Sequence, residues 1–372
     1  MGNIISVTVD VDDILLDACK PFDYKFEGVS TFKLPHFDPP SRDGSWSIGL
    51  IVGPSGSGKS QLLSKNYGIT EEPTWDSNKA IVSQLGEDAV EKLTAVGLNS
   101  VPSWCRPYHV LSNGEQFRAR MARMLDNNTS FDEFTSVVDR TVAQSCSNAI
   151  QRYIRQKNMT GVVFVTCHRD IIEWLQPDWV YDTLNEVMLP RGSLCPRPKI
   201  EIDIERCNKE WWNVFKKHHY LSADLNKSSH CFLGRWNGEP IVFGSAIAMP
   251  NGSVKNAWRG HRTVVLPDYQ GLGIGVRFSD AIAQHFVEEG KRYFSRTAHP
   301  RMGEYRMNSP LWKPTSKNKV NRLDDAARRE KGIPAYNNYK VIADRVCYSH
   351  EFVGNNIVKP QVKEATLEGF WK

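Results

Sequence analysis

The sequence predicts an α/β domain followed by an α+β domain with a mixed central sheet. Its 372 residues are too many for one typical domain and suggest two or three. An apolar strand, a glycine-rich turn and a helix follow one another near residue 50, which indicates the first domain. A hairpin turn at Asn237-Gly238 indicates antiparallel strands in the second. A proline-rich connector at 189–198 separates them, so we predict domains 1–197 and 198–372.

The composition indicates a folded protein with a substantial core, since 40% of the residues are hydrophobic and 24% are charged. No apolar run approaches the roughly 18 to 20 residues of a membrane span, so we expect a cytoplasmic protein with no membrane partner. The eight cysteines form no C-x-x-C pair, which argues against a zinc site or a disulfide framework. Residues 201–372 carry 27 Lys and Arg against 18 Asp and Glu. This basic half therefore suits a polyanionic partner better than the first half does.

The first domain contains a complete phosphate-binding motif. The apolar run 48–52 leads into GPSGSGKS, which matches GxxxxGK[ST] between a strand and a helix. Glycines there let backbone N–H groups converge on phosphates, while the lysine reaches the outer phosphates and the last hydroxyl can bind Mg²⁺. We predict that a nucleotide is bound by Gly53, Ser55, Gly56, Gly58, Lys59, Ser60 and Gln61, with Ser60 also a metal ligand.

Four further motifs follow in a fixed order. They are Gln84 after a predicted strand at 80–83, LSNGEQ at 111–116, DEFTSVVD at 132–139, and His168 after the apolar run 162–166. This order resembles the Q-loop, signature, Walker B with D-loop, and switch histidine of ABC ATPases over residues 45–185. The resemblance implies ATP and Mg²⁺ as ligands. It places Gln84, Ser112, Gly114 and Asp132 at the nucleotide, Gln84 and Asp132 also at the metal, and Glu133 and His168 in catalysis.

Two departures from the ABC pattern affect these expectations. Asn113 stands where the family usually has glycine, and the polar residues 127–131 predict a short or irregular Walker B strand. A pair of carboxylates that merely caps a helix is the alternative for Asp132 and Glu133. In this family one subunit's signature completes its partner's site, so the resemblance implies a homodimer through the ATPase half. The ATPase half resembles soluble ABC proteins that act on nucleic acids more closely than transporters. A transporter subunit is the alternative.

The second domain contains another glycine-rich loop. A predicted helix at 205–220 precedes strands at 230–236, 240–248 and 258–266, and QGLGIG at 270–275 then opens a helix. Strand, Q-x-x-G-x-G and helix resemble motif A of GNAT acyltransferases, over residues 203–356. The resemblance implies acetyl-coenzyme A, with its pyrophosphate bound by Val265, Gln270, Gly271, Gly273, Ile274 and Gly275. A dinucleotide-binding turn is the competing interpretation.

Candidate acceptor-side residues flank this loop. His219 is a candidate general base and Tyr220 a neighbouring catalytic candidate, while Tyr305 and Tyr348 are candidate general acids toward the leaving thiolate. Packing roles are the alternative for each. Basic and aromatic residues alternate over 292–313, a pattern that can hold DNA or RNA, although a solvated surface would look the same.

The sequence HYLS at 219–222 resembles an element of phage Mom-type proteins, which modify adenine in DNA. The leading hypothesis is therefore a bifunctional enzyme that hydrolyses ATP and transfers an acetyl-type group to an amine, including the exocyclic amine of a nucleobase. One alternative is an ATP-switched clamp on nucleic acid or the ribosome whose GNAT half only binds. Another is a protein or small-molecule acetyltransferase regulated by its ATPase half.

Overall fold

The computed structural model describes residues 4–219, 224–250, 254–319, 346–354 and 362–364. The chain divides into two compact units, each with its own sheet and core. The first comprises Met1–Leu98 with Ser103–Pro198, and the second comprises Asn99–Pro102 with Lys199–Lys372. No helix in the described ranges is long and apolar enough to cross a membrane.

The first 198 residues contain short strands and helices in alternation. The strands are β1 Ile4–Thr8, β2 Val29–Lys33, β3 Ile48–Val52, β4 Ser130–Phe131, β5 Val162–Thr166, β6 Trp179–Asp182 and β7 Val187–Pro190. The helices are α1 Asp13–Cys19, α2 Lys59–Tyr67, α3 Ala89–Ala95, α4 Val101–Trp104, α5 Asn113–Met124, α6 Arg140–Gln156 and α7 Ile172–Leu175.

The main sheet of the first unit places β3 at its centre. The strand order among the described residues is β4-β5-β3-β6-β7, with β3 parallel to both neighbours and β7 antiparallel at the edge. All five residues of β3 are buried, as a parallel strand covered on both faces requires. Leu62 and Leu63 of α2 join Trp46, Ile51 and Trp179 in the core, so the helix after the glycine-rich turn is fixed to the sheet.

The structure corrects two expectations in this unit or at its end and confirms a third. Residues 80–83 do not form a strand, because Ile81–Gln84 is a 3-10 helix. The proline-rich connector begins later than predicted, since Pro190 ends the edge strand β7, where its missing N–H does no harm. The short Walker B strand is confirmed, because β4 has only two residues and both are buried.

The second unit combines a large sheet with few helices. Its strands are β8 Asp203–Cys207, β9 His230–Trp236, β10 Glu239–Ala248, β11 Ala257–Val265, β12 Arg292–Thr297, β13 Trp312–Pro314, β14 Tyr348–Phe352 and β15 Val362–Glu364. Its helices are α8 Trp212–Phe215, α9 Ile274–Glu288 and α10 Pro300–Asn308.

The sheet of the second unit is mixed, and two of its strands diverge. The order among the described residues is β13-β14-β12-β11-β10-β9-β8-β15, in which β11 runs parallel to β12. Their pairing stops at Arg259 and Phe294, although β11 continues to Val265. A shift in the register of β10 against β11 leaves His261 as an inserted residue. The carboxyl-terminal half of β11 therefore has a β-strand neighbour on one side only.

Most predicted elements of this unit are confirmed. Asn237 and Gly238 both have positive φ (52° and 85°), as the two-residue hairpin turn requires. The predicted helix at 205–220 is wrong in its length, because β8 takes its first residues and only Trp212–Phe215 is α-helical, between two 3-10 turns. Trp211, Trp212 and Phe215 are all buried in the core, so packing on the sheet interrupts the regular helix.

Candidate nucleotide and acyl sites

The glycine-rich turn of the first unit leaves backbone donors available at a helix end. Gly58 is the N-cap of α2 with φ 82°, and no side chain caps the helix there. Gly56 also has positive φ, 76°, so both positions use a conformation that favours glycine. An uncapped helix N-terminus with converging N–H groups attracts phosphate. The turn therefore fits a nucleotide's phosphates.

A cavity of about 360 Å³ lies on this turn. It is lined by Phe32, Ser55, Gly56, Gly58, Lys59, Ser60, Gln61, Asp132, Glu133, Ser136, Val165, Thr166 and Cys167. Eight of the predicted residues are thus brought together. Gly53 is not in the lining, but a Cβ there would approach Thr183 Oγ1 to 1.9 Å, so its role is close packing beneath the turn.

The charged groups of the cavity are arranged around the helix end. The Lys59 ammonium donates to the carbonyl of Pro54 at 2.6 Å, which holds it across the turn. Ser60 and Asp132 line the same cavity, so a hydroxyl and a carboxylate are present for Mg²⁺, which usually keeps waters and phosphate oxygens as its other ligands. Glu133 has φ 49°, and its N–H donates to Asp132 Oδ1 at 2.9 Å, which fixes the turn that presents both carboxylates.

Gln84 lies apart from this cavity in the described structure. Its side-chain oxygen accepts from the N–H of Asp76 at 2.9 Å, and its amide donates to the carbonyl of Lys79 at 2.9 Å. These bonds close a local loop. The predicted metal role of Gln84 would need that loop to open.

The signature residues also lie outside the cavity lining. Ser112 caps α5, and Glu115 donates its N–H to the serine hydroxyl while its carboxylate accepts from the N–H of Ser112 at 3.0 Å. Gly114 sits in the first turn, where an added Cβ would make only ordinary contact with Val142. The signature thus forms a well-capped helix start that does not touch its own chain's cavity.

His168 follows the cavity residues Thr166 and Cys167 in the chain. Its Nδ1 lies 3.3 Å from the hydroxyl of Thr135, and its backbone N–H donates to Thr166 Oγ1 at 3.1 Å. Partial burial and the nearby charge of Arg140 lower the pKa of His168, so the imidazole is neutral at pH 7.

The glycine-rich loop of the second unit repeats the same arrangement at a longer helix. Gly273 is the N-cap of α9 with φ 78° and no side-chain cap, and Gly271 has φ 94°. The Gln270 amide donates to the carbonyl of Val265 at 3.1 Å, which ties the loop to the end of β11. Ile274 is buried at the helix start and Gly275 lies against Val265, so all six predicted residues lie in one loop and its two flanks.

The acceptor side contains one histidine that was predicted and one that was not. His219 ends the 3-10 turn after α8, with its ring edge-on to Trp212 at 5.6 Å between centroids. His261 is the inserted residue of β11, and its Nε2 accepts from the N–H of Asn226 at 3.3 Å. Burial lowers the pKa of His261 to about 4, and the charges of Arg262, Arg259 and His219 act in the same direction. Tyr220 lies outside the described residues.

The two candidate tyrosine acids have different surroundings. The Tyr305 hydroxyl donates to Asp280 Oδ2 at 2.5 Å, and Trp312 Nε1 donates to the other carboxylate oxygen at 2.7 Å. Burial and this partner raise the pKa of Tyr305 to about 12. Tyr348 pairs with Thr297 at the carboxyl end of β12, on the edge of β12 that faces away from β11, and its ring lies against Gly303 of α10. The identity of the general acid therefore stays a prediction.

The predicted basic and aromatic surface is corrected in part. Tyr293, Arg306 and Trp312 are buried, so these side chains belong to the core and are not available to stack on bases. Other cations of the second unit are exposed. They include Lys216, Lys217, Arg259, Arg277, Arg296, Arg301 and Lys313.

Sequence reasoning missed several residues of both sites. Phe32 precedes the motif by more than twenty positions, and its ring lies against Gly58. His261 gave no motif signal, because a register shift is a property of two paired strands. Its only sequence sign is its place between basic residues in an apolar strand.

A family model describes part of the second unit. Residues 197–306 match the acetyltransferase (GNAT) family. This part of the chain is a GNAT acetyltransferase domain. The predicted α/β fold of the first unit and the mixed sheet of the GNAT-like second unit are confirmed.

Solved structures of ATP-binding cassettes and of acetyltransferases are similar to parts of the chain. The ATP-binding cassette MJ0796, in a dimeric post-hydrolysis state bound to ADP and Pi, is 18% identical, with a TM-score of 0.33, over 45% of this chain and 91% of that one. A Bacillus subtilis acetyltransferase in complex with CoA is 10% identical, with a TM-score of 0.30, over 41% and 98%. An IAA acetyltransferase from Bacillus cereus is 14% identical, with a TM-score of 0.28, over 41% and 99%. No curated protein matches the sequence.

Proposed function

We propose that this protein binds and hydrolyses ATP in its first unit and transfers an acetyl group from acetyl-coenzyme A to an amine in its GNAT domain. The observation that carries the proposal is the glycine loop at the end of β11, beside the gap where β11 and β12 part. Acetyl transfer is what the family match to residues 197–306 supports.

In the acyl site, the N–H groups of Gly271, Gly273 and Ile274 would bind the pyrophosphate at the start of α9. The edge of β11 beyond Arg259, where its pairing with β12 stops, would lie along the amide-rich arm of coenzyme A. His219 would accept the proton of the attacking amine. Tyr348 would give a proton to the thiolate that leaves as the carbonyl carbon gains its bond to nitrogen.

In the nucleotide site, Lys59 and the N–H groups of the turn would bind the phosphates, and Ser60 with Asp132 would hold Mg²⁺, which when bound offsets phosphate charge. The Glu133 carboxylate would accept a proton from the attacking water. Phe32 adds an exposed ring, 41% accessible, on which a purine could stack.

A homodimer would complete the nucleotide site. Ser112 and Gly114 do not reach their own cavity, whereas α5 presents a helix N-terminus to solvent from a rigid cap. Light scattering of Glu133→Gln, which should bind ATP without hydrolysing it, is expected to show twice the monomer mass with MgATP. A monomer at saturating ATP would contradict this part of the proposal.

For the acceptor we propose a nucleobase amine in DNA. The support is the net charge of the basic half and its exposed cations, which attract a polyanion. A base would have to leave the stack to reach the gap beside β11.

The test is incubation of the protein with ¹³C-acetyl-coenzyme A, MgATP and either DNA, RNA or a protein extract, followed by mass spectrometry of nucleosides and peptides. We expect a labelled deoxynucleoside that is absent with Gly273→Glu. Label only in peptides or a small molecule would contradict the nucleobase acceptor while leaving acetyl transfer intact.

A further inference from the structure

Three hydrogen-bonding groups form a closed ring behind the nucleotide cavity. The backbone N–H of His168 donates to Thr166 Oγ1 at 3.1 Å, Thr166 Oγ1 lies 3.3 Å from Thr135 Oγ1, and Thr135 Oγ1 lies 3.3 Å from His168 Nδ1. Both threonines are buried, with exposures of 0% for Thr135 and 2% for Thr166. Water therefore has little access to these hydroxyls, and each must find its partner within the ring.

Only one direction gives each hydroxyl both a donor and an acceptor within the ring. An N–H can only donate, so Thr166 Oγ1 accepts from His168 and its own proton is left to donate. The partner it faces in the ring is Thr135 Oγ1, whose proton is then directed to Nδ1. A nitrogen that accepts a hydrogen bond in a neutral imidazole is the unprotonated one. In this direction the imidazole proton of His168 therefore sits on Nε2.

Thr135 occupies a strained conformation. Its φ is 70°, in the left-handed region that β-branched residues rarely adopt. Such a conformation is costly and persists only where the surroundings impose it, which happens most often at functional sites. A glycine would remove the strain but would also remove the hydroxyl. The residue that the turn disfavours is thus the one that supplies the proton to Nδ1.

We propose that Thr135 is a positioning residue for ATP hydrolysis, which relays the Thr166 hydroxyl to His168 Nδ1 and so fixes the Nε2–H tautomer of the switch histidine. The inference rests on the proposed nucleotide site. It adds to it that His168 acts as a hydrogen-bond donor through Nε2, the form suited to an oxygen of the terminal phosphate.

The relay can be tested with four variants of the full chain. Thr135→Val keeps the shape and the β-branch but loses the hydroxyl, and Thr135→Ser keeps the hydroxyl. Thr94→Val is the matched control, because it removes another buried hydroxyl, one that donates to the carbonyl of Val90 within α3. His168→Gln identifies the His168 signals in ¹⁵N spectra of histidine-labelled protein.

We expect wild type without nucleotide to show an unprotonated, hydrogen-bonded Nδ1 and a protonated Nε2 at His168. Thr135→Val should shift the Nδ1 resonance and lower kcat for ATP roughly 10-fold, since a misplaced catalytic group costs turnover more than binding. KM should change less than about threefold. Thr135→Ser should restore the spectrum and most of kcat, and Thr94→Val should resemble wild type.

A protonated Nδ1 in wild type, or a Thr135→Val protein with the wild-type spectrum and kcat, would overturn the relay. The spectra need no turnover. A wild-type protein that hydrolyses no ATP would therefore overturn the proposed nucleotide function, while the tautomer would still decide the role of Thr135.

Discussion

The two glycine-rich loops use one backbone device with different side chains around it. Gly58 and Gly273 each start a helix with positive φ and no side-chain cap, so each leaves the same set of N–H donors. Around Gly58 stand a lysine and two carboxylates in a cavity, which suits a phosphate chain with a metal ion. The loop at Gly273 instead follows a strand whose pairing with β12 stops at Arg259.

In the proposed function, each loop binds phosphate and the residues around it decide which phosphate compound is bound. Lysine and paired carboxylates support hydrolysis at the end of the phosphate chain. A free strand edge suits a long ligand whose reacting end lies away from its phosphates. The largest predicted effects distinguish the ligands of the two loops, and the smaller ones concern single side chains near each loop.

The largest effects are expected from a charge placed in either loop. Gly58→Glu and Gly273→Glu each put a carboxylate where an anion should bind, and each forces a non-glycine residue to positive φ. We expect Gly58→Glu to lose at least about 100-fold in ATP affinity and Gly273→Glu as much in acetyl-coenzyme A affinity. Calorimetric titration of each ligand measures both.

Matched controls lie at the other ends of the same helices. Gly68, at the end of α2, has φ 73°, and Gly290, after α9, has φ 72°, and an added Cβ would meet nothing within 4 Å at either. Gly68→Glu and Gly290→Glu carry the same backbone cost, on the order of 1–2 kcal/mol, far from the loops. They should bind both ligands normally. Loss of binding in the controls would mean that strain, not charge, explains the loop variants.

Next in size is the lysine that distinguishes the first loop. Lys59→Ala should lower ATP turnover by roughly 100-fold or more, because the ammonium is the group held over the phosphate position. Lys65→Ala, on the same helix but outside the cavity, should stay within about twofold of wild type. A phosphate-release assay measures both. Equal loss in the two variants would point to the stability of α2 instead.

Removing the hydroxyl from each of the two tyrosines of the second unit should affect stability in one case and acetyl transfer in the other. Tyr305→Phe removes a hydrogen bond to the buried Asp280 carboxylate and should lower the free energy of unfolding by about 1–3 kcal/mol. Tyr348→Phe should leave stability nearly unchanged but lower the kcat of acetyl transfer at least about 10-fold. Denaturant unfolding and a thiol-release assay make the comparison. The reverse pattern would assign the general acid to Tyr305.

The smallest effect is a pH dependence of stability from His261. Its pKa in the fold is about 4, below the ordinary 6.5, so below pH 6.5 the unfolded chain binds a proton that the folded chain does not. Stability should therefore fall as the pH drops from about 6.5 toward 4. His261→Gln should show a shallower fall in denaturant midpoint over this window. An unchanged slope would mean that His261 is more solvated than the structure shows.

Much of both sites was predictable, because their positions follow from local sequence. The strand, turn and helix around Lys59 and around Gly273 are encoded in consecutive residues, and both were found where the motifs placed them. The signature and Walker B motifs were located in the same way. The distance of the signature from the cavity could not be predicted, since it depends on how α5 packs.

The residues that sequence could not reveal depend on pairing between distant segments. His261 becomes an inserted residue only through a register shift between β10 and β11, and Thr135 meets His168 only because two turns lie side by side. The short helix around Trp212 failed as a prediction because packing of three aromatic rings overrode its helical spacing. The aromatic residues Tyr293 and Trp312 looked like a binding surface because burial is not visible in a short alternating pattern.

The central claim is that one chain contains two separate phosphate sites with different ligands. Calorimetric titration of wild type, Gly58→Glu and Gly273→Glu, each with MgATP and with acetyl-coenzyme A, tests it most directly. The account predicts that wild type binds both ligands and that each variant loses only its own. Failure of folded wild type to bind either ligand, or loss of the same ligand in both variants, would contradict it.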